Sequence, residues 1–104
     1  MYDSIDINEI DQIHITTANS LDSNQRVLID IRDKYEYILG NIKDSINIPY
    51  NYLVLMPENY LNLNSIYYIY CDTGNKSRKM CLHLKQLGYK VVDLTGGYQH
   101  YQRK

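Results

Sequence analysis

The feature that most constrains the fold is a buried strand that ends in a cysteine and is followed by a polar loop and a helix. The run IYYIY at residues 66–70 is typical of a strand covered on both faces, and Cys71 follows it directly. Beyond the loop, apolar residues recur at the spacing of one helix face, at Met80, Leu84 and Leu87. Gly88 is expected to end this helix in the left-handed conformation. Cys71 is therefore predicted to lie where a strand turns through a tight loop into a helix.

The position of Cys71 before a helix favours a reactive thiolate. The first N–H groups of a helix have no partners within it, and the aligned peptide dipoles add partial positive charge there. A sulfur surrounded by such groups is stabilised as the nucleophilic thiolate. Lys76 adds a positive charge to the loop and Asp72 a negative one, so charge counting does not decide the net effect. Because cysteines that end strands are also common in apolar cores, the residues alone leave catalytic and structural roles open.

The rest of the chain alternates predicted strands with predicted helices. Strands are expected at residues 4–7, 26–31, 45–48 and 91–94. Helices are expected from Asn8 to about Ile13 and from Lys34 to Leu39, where Gly40 follows. Residues 19–25 are predicted as a polar loop, and residues 51–56 fit either a helix or an irregular segment. Gly96 and Gly97, after the last strand, are expected to allow a close approach of the backbone.

This alternation predicts one α/β domain with a mostly parallel central sheet of about five strands flanked by helices. Ligands bind such sheets beyond the carboxyl ends of the strands, which is where Cys71 lies. A chain of 104 residues has room for one domain with a modest core.

Composition and charge argue against several classes of protein. A formal net charge of -1 gives no support for binding nucleic acid or an anionic membrane. No apolar run approaches the roughly 20 residues of a membrane span, and the first residues lack the pattern of a secretory signal. Two cysteines without export features suggest free thiols in a reducing cytosol, and so a cytoplasmic protein.

The ordered motifs of the chain resemble those of rhodanese-like domains. They are VLIDIR at 27–32, YEY at 35–37, GNI at 40–42, SINIP at 45–49, Cys-x-x-Gly-x-Lys-Ser at 71–77 and LTGGY at 94–98. The resemblance covers residues 27–101, nearly the whole chain. It implies a single-domain sulfurtransferase in which Cys71 takes a sulfane sulfur from thiosulfate or a persulfide and passes it to a thiol or protein acceptor. It implies neither a cofactor nor a metal.

The same resemblance assigns roles to residues around Cys71. The loop residues would present N–H groups to the persulfide and bind the donor, namely Asp72, Thr73, Gly74, Asn75, Lys76 and Ser77. Lys76 would also attract an anionic donor. Asp30, Arg32 and Glu36 would support the loops under the site, with Arg32 paired to Glu36.

The sequence departs from the family pattern at several positions. Asn41 stands where a histidine is common, Asp44-Ser45 replaces Gly-Ala, and Tyr101 stands where a tryptophan is usual. Lys76 replaces a frequent arginine, which keeps the charge but loses the planar fork that grips oxyanions at two points.

Two other functions stay open. Some phosphatases and arsenate reductases share the fold, but their loops end in arginine as Cys-x5-Arg, whereas Ser77 stands at that position here and Arg78 follows. The other alternative is a non-enzymatic sulfur-carrier or regulatory module, which an intact Cys71 disfavours.

The remaining cysteine and the histidines are not predicted to act on substrate. Cys81 lies at the edge of the predicted apolar stripe, so a core-edge thiol is favoured over a resolving cysteine. The histidines are not spaced as metal ligands, and the chain has no Cys-x-x-Cys; they are His14, His83 and His100. Since the sequence places no histidine beside Cys71 as a base, the loop itself is expected to activate the thiol.

Overall fold

Five parallel strands form the centre of the protein, in the order β1-β5-β4-β2-β3. The computed structural model describes residues 10–21 and 27–102. The strands are β1 (Asp11–His14), β2 (Val27–Asp30), β3 (Ile46–Asn47), β4 (Ile66–Tyr70) and β5 (Lys90–Thr95). The α-helices are α1 (Lys34–Leu39), α2 (Tyr50–Leu55), α3 (Asn75–Gln86) and α4 (Gly97–Gln102), with 3-10 helices at Ile15–Ser20 and Pro57–Asn59. The predicted α/β class and parallel sheet are confirmed.

Strand β4 lies between β5 and β2 and is covered on both faces, which explains its continuous apolar sequence. Ile69 packs in a cluster that contains Met80 and Leu84 of α3. Tyr70, the next residue, packs in the opposite cluster with Tyr98 of α4. Helices α3 and α4 therefore cover opposite faces, and the loop after β4 lies at the carboxyl edge of the sheet. Within the described ranges, no helix has the length and apolar character needed to cross a membrane.

Helix α3 differs from the prediction at its carboxyl end. Its buried face consists of Ser77, Met80, Cys81 and Leu84. Leu87 is 51% exposed, so its predicted place on the apolar stripe is wrong. The reason is that α3 ends at Gln86, and Leu87 already belongs to the turn. Gly88 has φ 97°, and its N–H donates to the carbonyl of Lys85 at 3.0 Å, which confirms the predicted left-handed end.

The predicted helix from Asn8 to Ile13 is wrong in its described part, because residues Asp11–His14 form the edge strand β1. This strand pairs in parallel with β5, from Asp11 opposite Val92 to His14 opposite Thr95. Pairing with a distant strand thus overrides the local helix signals of the acidic residues. Ile15–Ser20 then forms a 3-10 helix that takes up the start of the predicted polar loop. The strand predicted at 4–7 and the helix cap at Asn8 lie outside the described residues.

The other predicted elements are confirmed with small shifts at their ends. Helix α1 has the predicted bounds, and β2, β3 and β5 correspond to the strands predicted at 26–31, 45–48 and 91–94. The undecided segment at 51–56 forms α2. Helix α4 was not predicted, because it starts at a glycine and has too few apolar residues to give a helical repeat.

Candidate active site

The loop of residues 71–77, called the Cys71 loop below, joins β4 to α3 at the carboxyl edge of the sheet. Gly74 precedes α3 in the left-handed conformation, with φ 101°, and this turns the chain back over the cysteine. The N–H of Gly74 donates to Cys71 Sγ at 3.1 Å, and the N–H of Ser77 donates to the same sulfur at 3.3 Å. Two backbone donors at the start of a twelve-residue helix therefore stabilise negative charge on this sulfur.

The start of α4 holds the Cys71 loop from the other side. The N–H of Tyr98 donates to the carbonyl of Cys71 at 2.8 Å, and the N–H of Gln99 to the carbonyl of Asp72 at 3.2 Å. Gly97 has φ 75°, and a Cβ at this position would overlap the carbonyl of Asp72. The close backbone approach that was predicted for Gly97 is confirmed, and the Cys71 loop is its partner.

A buried carboxyl group fixes the inner end of the loop. Ser77 Oγ donates to Asp93 Oδ1 at 2.6 Å, and both residues are buried. Burial raises the pKa of Asp93, although the hydrogen bond from Ser77 and the charge of Arg78 act in the opposite direction. Ser77, which was predicted to bind the donor, thus turns its side chain into the protein and presents its N–H to Cys71.

A cleft of about 360 Å³ opens beside Cys71. The described residues that line it are Ile31, Arg32, Asp33, Glu36, Pro49, Tyr50, Asn51, Cys71, Asp72, Thr73, Asn75 and Lys76. Most of the predicted loop residues therefore face the cleft, whereas Gly74 and Ser77 do not. Sequence reasoning missed Asp33 and the segment 49–51, although both follow the carboxyl ends of strands, where parallel sheets place their ligands.

Arg32 supports the floor of the cleft, but with a different partner from the predicted one. Its guanidinium forms an ion pair with Asp30 at 2.8 Å, and both residues are buried. The same group donates to the carbonyl of Gly40 at 2.6 Å and lies 4.2 Å from the ring centroid of Tyr98. Although burial opposes its charge, Asp30 raises the pKa of Arg32. The predicted Arg32–Glu36 pair is thus replaced by an Arg32–Asp30 pair.

Glu36 faces a second carboxyl group, that of Asp72, in the cleft. Burial, followed by the hydrogen bond and the negative charge of Asp72, raises the pKa of Glu36, while Arg32 acts to lower it. The predicted structural residue Glu36 and the predicted donor-binding residue Asp72 therefore form one carboxyl pair.

Lys76 is exposed, and its Nζ lies 5.9 Å from the ring centroid of Tyr50. Among residues 10–21 and 27–102, the structure shows one ion pair, Arg32–Asp30, and no described carboxylate lies in direct contact with Lys76.

The second cysteine lies deeper than predicted. Cys81 is fully buried rather than at the core edge, because Met80 and Leu84 flank it on the packed face of α3. Burial, followed by the charges on Asp93 and Cys71, raises the pKa of the Cys81 thiol well above its usual value.

The structure brings together two histidines that are far apart in sequence. The rings of His14 and His100 stack with centroids 5.5 Å apart, beside Gly96. No histidine belongs to the described lining of the cleft. The described part of the chain contains no group of three or more His, Cys, Asp or Glu side chains arranged to hold a metal ion.

These features define an α/β domain in which a cysteine sulfur accepts backbone hydrogen bonds at the carboxyl edge of a parallel sheet. The family model of the Rhodanese-like domain matches residues 15–104. The chain belongs to the Rhodanese-like domain family.

Individual relatives agree with this assignment. Adenylyltransferase and sulfurtransferase uba4 of Ogataea parapolymorpha is 36% identical over 78 residues, which are 74% of this chain and 20% of that protein. The Sulfurtransferase of Allochromatium vinosum is 32% identical over 92 residues, 88% of this chain and 84% of that protein. A crystal structure of a rhodanese-related protein from Thermoplasma volcanium has a TM-score of 0.79 at 29% identity, covering 89% of this chain and 91% of that one. The chain therefore spans about a fifth of the first relative and most of the other two.

Proposed function

We propose that this chain is a sulfurtransferase, which moves a sulfane sulfur from thiosulfate or a persulfide donor to a thiophilic acceptor through a persulfide on Cys71. The observation that carries the proposal is the pair of N–H groups, from Gly74 and Ser77, directed at Cys71 Sγ at 3.1 and 3.3 Å. Two relatives that carry sulfurtransferase in their names support it.

In the first half-reaction, the Cys71 thiolate attacks the outer sulfur of the donor. With thiosulfate, a bond forms between Sγ and the outer sulfur, the S–S bond of thiosulfate breaks, and sulfite leaves with the electron pair. The product is a persulfide anion on Cys71. The backbone N–H groups of the Cys71 loop and the amino end of α3 stabilise this anion.

In the second half-reaction, a thiolate or cyanide attacks the outer sulfur of the persulfide. The S–S bond on Cys71 breaks, and Cys71 regains its thiolate. Electrons are neither gained nor lost overall in either step, so the cycle needs no redox cofactor. A reducing compartment such as the cytoplasm would keep the thiolate available for the next turnover.

The role of each residue in the Cys71 loop would depend on whether it faces the sulfur or the cleft. Gly74 and Ser77 would hold the sulfur through their N–H groups. The residues that face the cleft would contact the outer part of the donor, namely Asp72, Thr73 and Asn75. Lys76, which also lines the cleft, would attract an anionic donor. Below them, the buried Arg32–Asp30 pair would keep the floor of the cleft in place.

The geometry of the loop disfavours a phosphatase or an arsenate reductase. In a Cys-x5-Arg loop, the arginine closes around the tetrahedral anion. Here Ser77 occupies that position, and Asp93 holds its hydroxyl. Arg78 follows, but its guanidinium donates to Asn75 Oδ1 at 3.3 Å, and Arg78 is not part of the described lining of the cleft.

Intact mass spectrometry after incubation with thiosulfate, and with a small persulfide, tests the proposal. We expect the protein to gain one sulfur atom, and cyanide to remove it. Cys71→Ser should abolish the gain, because a hydroxyl group is a poor nucleophile at neutral pH and cannot carry a persulfide. No adduct with any sulfane donor would end the proposal. A phosphate adduct on Cys71 would favour the phosphatase, and a persulfide that no acceptor removes would favour the carrier module.

Cys81→Ser is the matched control for this experiment. Since Cys81 is buried away from the cleft, the variant should keep the sulfur adduct and most of the turnover. Burying a hydroxyl without a hydrogen bond costs about 1–3 kcal/mol of stability. If Cys81→Ser still forms the persulfide but cannot pass it on, Cys81 acts as a resolving residue.

A further inference from the structure

A second cavity, called the groove below, adjoins the cleft. It measures about 900 Å³ and lies among residues of α1, β3 and α2. Asp33, Pro49 and Asn51 line both spaces, so a ligand that reaches Cys71 through the cleft can extend into the groove. Thiosulfate fills only a small fraction of this combined space.

The groove exposes large apolar side chains. Ile38 is 66% exposed, Ile46 52% and Tyr52 62%, and all three line it. They come from α1, β3 and α2 and line one cavity, so three elements contribute to its apolar surface. Such a patch beside a reactive cysteine is typical of a surface that binds a protein segment.

The cleft, by contrast, carries an excess of negative charge. Its acidic side chains are Asp33, Glu36 and Asp72, and the charge of Arg32 is taken up by Asp30 at 2.8 Å. Among the described residues that line the cleft, Lys76 is the remaining cation. In the groove, Lys34 offsets Asp33, which lines both cavities, so Glu36 and Asp72 against Lys76 set the negative sign of the whole surface. A dianion that approaches Cys71 therefore meets a repulsion that Lys76 only partly offsets, whereas a cationic donor is attracted.

We propose that the cleft and the groove together select a polypeptide segment that is basic and apolar, and that carries the persulfide on a cysteine. This inference rests on the proposed function. Basic side chains beside the cysteine face the carboxylates of the cleft, and apolar side chains cover Ile38, Ile46 and Tyr52. The charge of the cleft and the apolar groove that adjoins it each favour this partner over a small anion.

The sulfur moves to Cys71 in one balanced step. The Cys71 thiolate attacks the outer sulfur of the R–S–SH group of the segment, and a new S–S bond forms. The original S–S bond breaks, and the thiolate of the segment leaves with the electron pair and takes up a proton from water. The persulfide now stands on Cys71, and no outside oxidant or reductant is needed.

The test measures sulfur uptake by Cys71 in a single turnover, followed by intact mass spectrometry. The first donor is a synthetic peptide persulfide whose cysteine is flanked by lysines and leucines. In two matched peptides, glutamates replace the lysines or serines replace the leucines, and thiosulfate is the fourth donor. We expect the lysine–leucine peptide to react about tenfold faster than the glutamate peptide, as expected for complementary charges. It should also react faster than the serine peptide and thiosulfate.

Variants of the protein show whether the cleft or the groove is responsible for each preference between the peptide donors. Glu36→Gln removes one charge from the cleft, and it should reduce the preference for lysine over glutamate by about two- to fivefold. Ile38→Ser, at an exposed position, should reduce the preference for leucine over serine without unfolding the protein. Glu58→Gln and Leu63→Ser are the controls, since both residues are exposed and line neither cavity, and they should leave the preferences unchanged.

Several outcomes would overturn the inference. Equal rates for the three peptides, a faster reaction with thiosulfate, or preferences that survive both variants would each contradict it. So would an Ile38-dependent dimer in size-exclusion chromatography, because a second copy of the chain would then occupy the groove. Failure of every donor to load Cys71 would instead contradict the proposed sulfurtransferase function.

Discussion

The two walls of the cleft are built in different ways. On one side, the Cys71 loop is held by backbone groups, with the N–H groups of Tyr98 and Gln99 bonded to its carbonyls. On the other side, the wall consists of side chains that follow β2 and β3, such as Asp33, Glu36 and Tyr50. Reactivity at the sulfur therefore depends on backbone geometry, which is sensitive to substitution where an added Cβ has no room, as at Gly97. Selectivity depends on side chains that can change without disturbing the fold.

Arg32 connects the two walls. It binds Asp30 and the carbonyl of Gly40 on the side of α1, and it lies over the ring of Tyr98 at the start of α4. Asp30 and Arg32 are both buried, so this ion pair is a fixed point of the structure and is not available to a ligand.

The largest effect is expected at Gly97, where the backbone of the Cys71 loop leaves no room for a side chain. Gly97→Ala should abolish sulfur uptake or prevent stable folding, because the added Cβ overlaps the carbonyl of Asp72. Gly88→Ala is the matched control, since Gly88 also has a positive φ but its Cβ would meet only Leu63 at 3.7 Å. The left-handed conformation alone should cost each variant about 1–2 kcal/mol. Urea unfolding combined with sulfur uptake measures both effects, and an equal loss of stability in the two variants would refute the close contact.

A smaller effect is expected from Asp93, which lies beneath the Cys71 loop, and it should appear in the pH dependence of the free energy of unfolding. Burial raises the pKa of Asp93 in the folded protein, so the folded state holds this proton more tightly than the unfolded chain does. The contribution of Asp93 to stability is complete below its pKa in the unfolded chain, about 3.9. It is lost as the pH rises through its pKa in the folded protein. Asp93→Asn keeps an acceptor for Ser77 Oγ but cannot titrate. We therefore expect the free energy of unfolding to fall less steeply with rising pH in this variant.

Urea unfolding across the acidic to neutral range measures this slope. Glu58→Gln, on the surface and far from the loop in sequence, is the control for a general loss of negative charge. Identical slopes for Asp93→Asn and the unaltered protein would mean that the burial of Asp93 does not perturb its titration.

The smallest effect is expected for the exposed cation. Lys76→Ala should lower kcat/KM for thiosulfate by about two- to tenfold, because a solvent-exposed charge is weakly coupled and screened by salt. Lys76→Arg should keep or improve thiosulfate use, since the guanidinium can bind two oxygens at once. Lys79→Ala, on α3 but outside the described lining of the cleft, is the control. Unchanged kinetics in Lys76→Ala would mean that the backbone N–H groups bind thiosulfate without help from Lys76.

The sequence predicted well what depends on neighbouring residues. The strand before Cys71, the glycine turn and the following helix lie in one continuous segment, and their signals agree with one another. The approach of Gly97 to another backbone was also predictable, because a glycine has no Cβ to keep a second backbone at a distance.

The sequence could not predict contacts that depend on the packing of distant segments. Arg32 has acidic neighbours in sequence at positions 30, 33 and 36, and only the fold decides that Asp30 is its partner. Glu36 meets Asp72 because α1 and the Cys71 loop both start at the carboxyl edge of the sheet, 36 residues apart in sequence. Strand β1 was missed for the same reason, since its partner β5 lies far along the chain.

The hydrogen bonds from α4 to the Cys71 loop have a consequence for the order of events during protein synthesis. The ribosome synthesises the cysteine before Tyr98 and Gln99, whose N–H groups bind the carbonyls of Cys71 and Asp72. A nascent chain therefore carries its nucleophile before the structure that positions it exists. The thiol gains its final surroundings only when β5 and α4 have been added, so maturation of the site is tied to completion of the sheet.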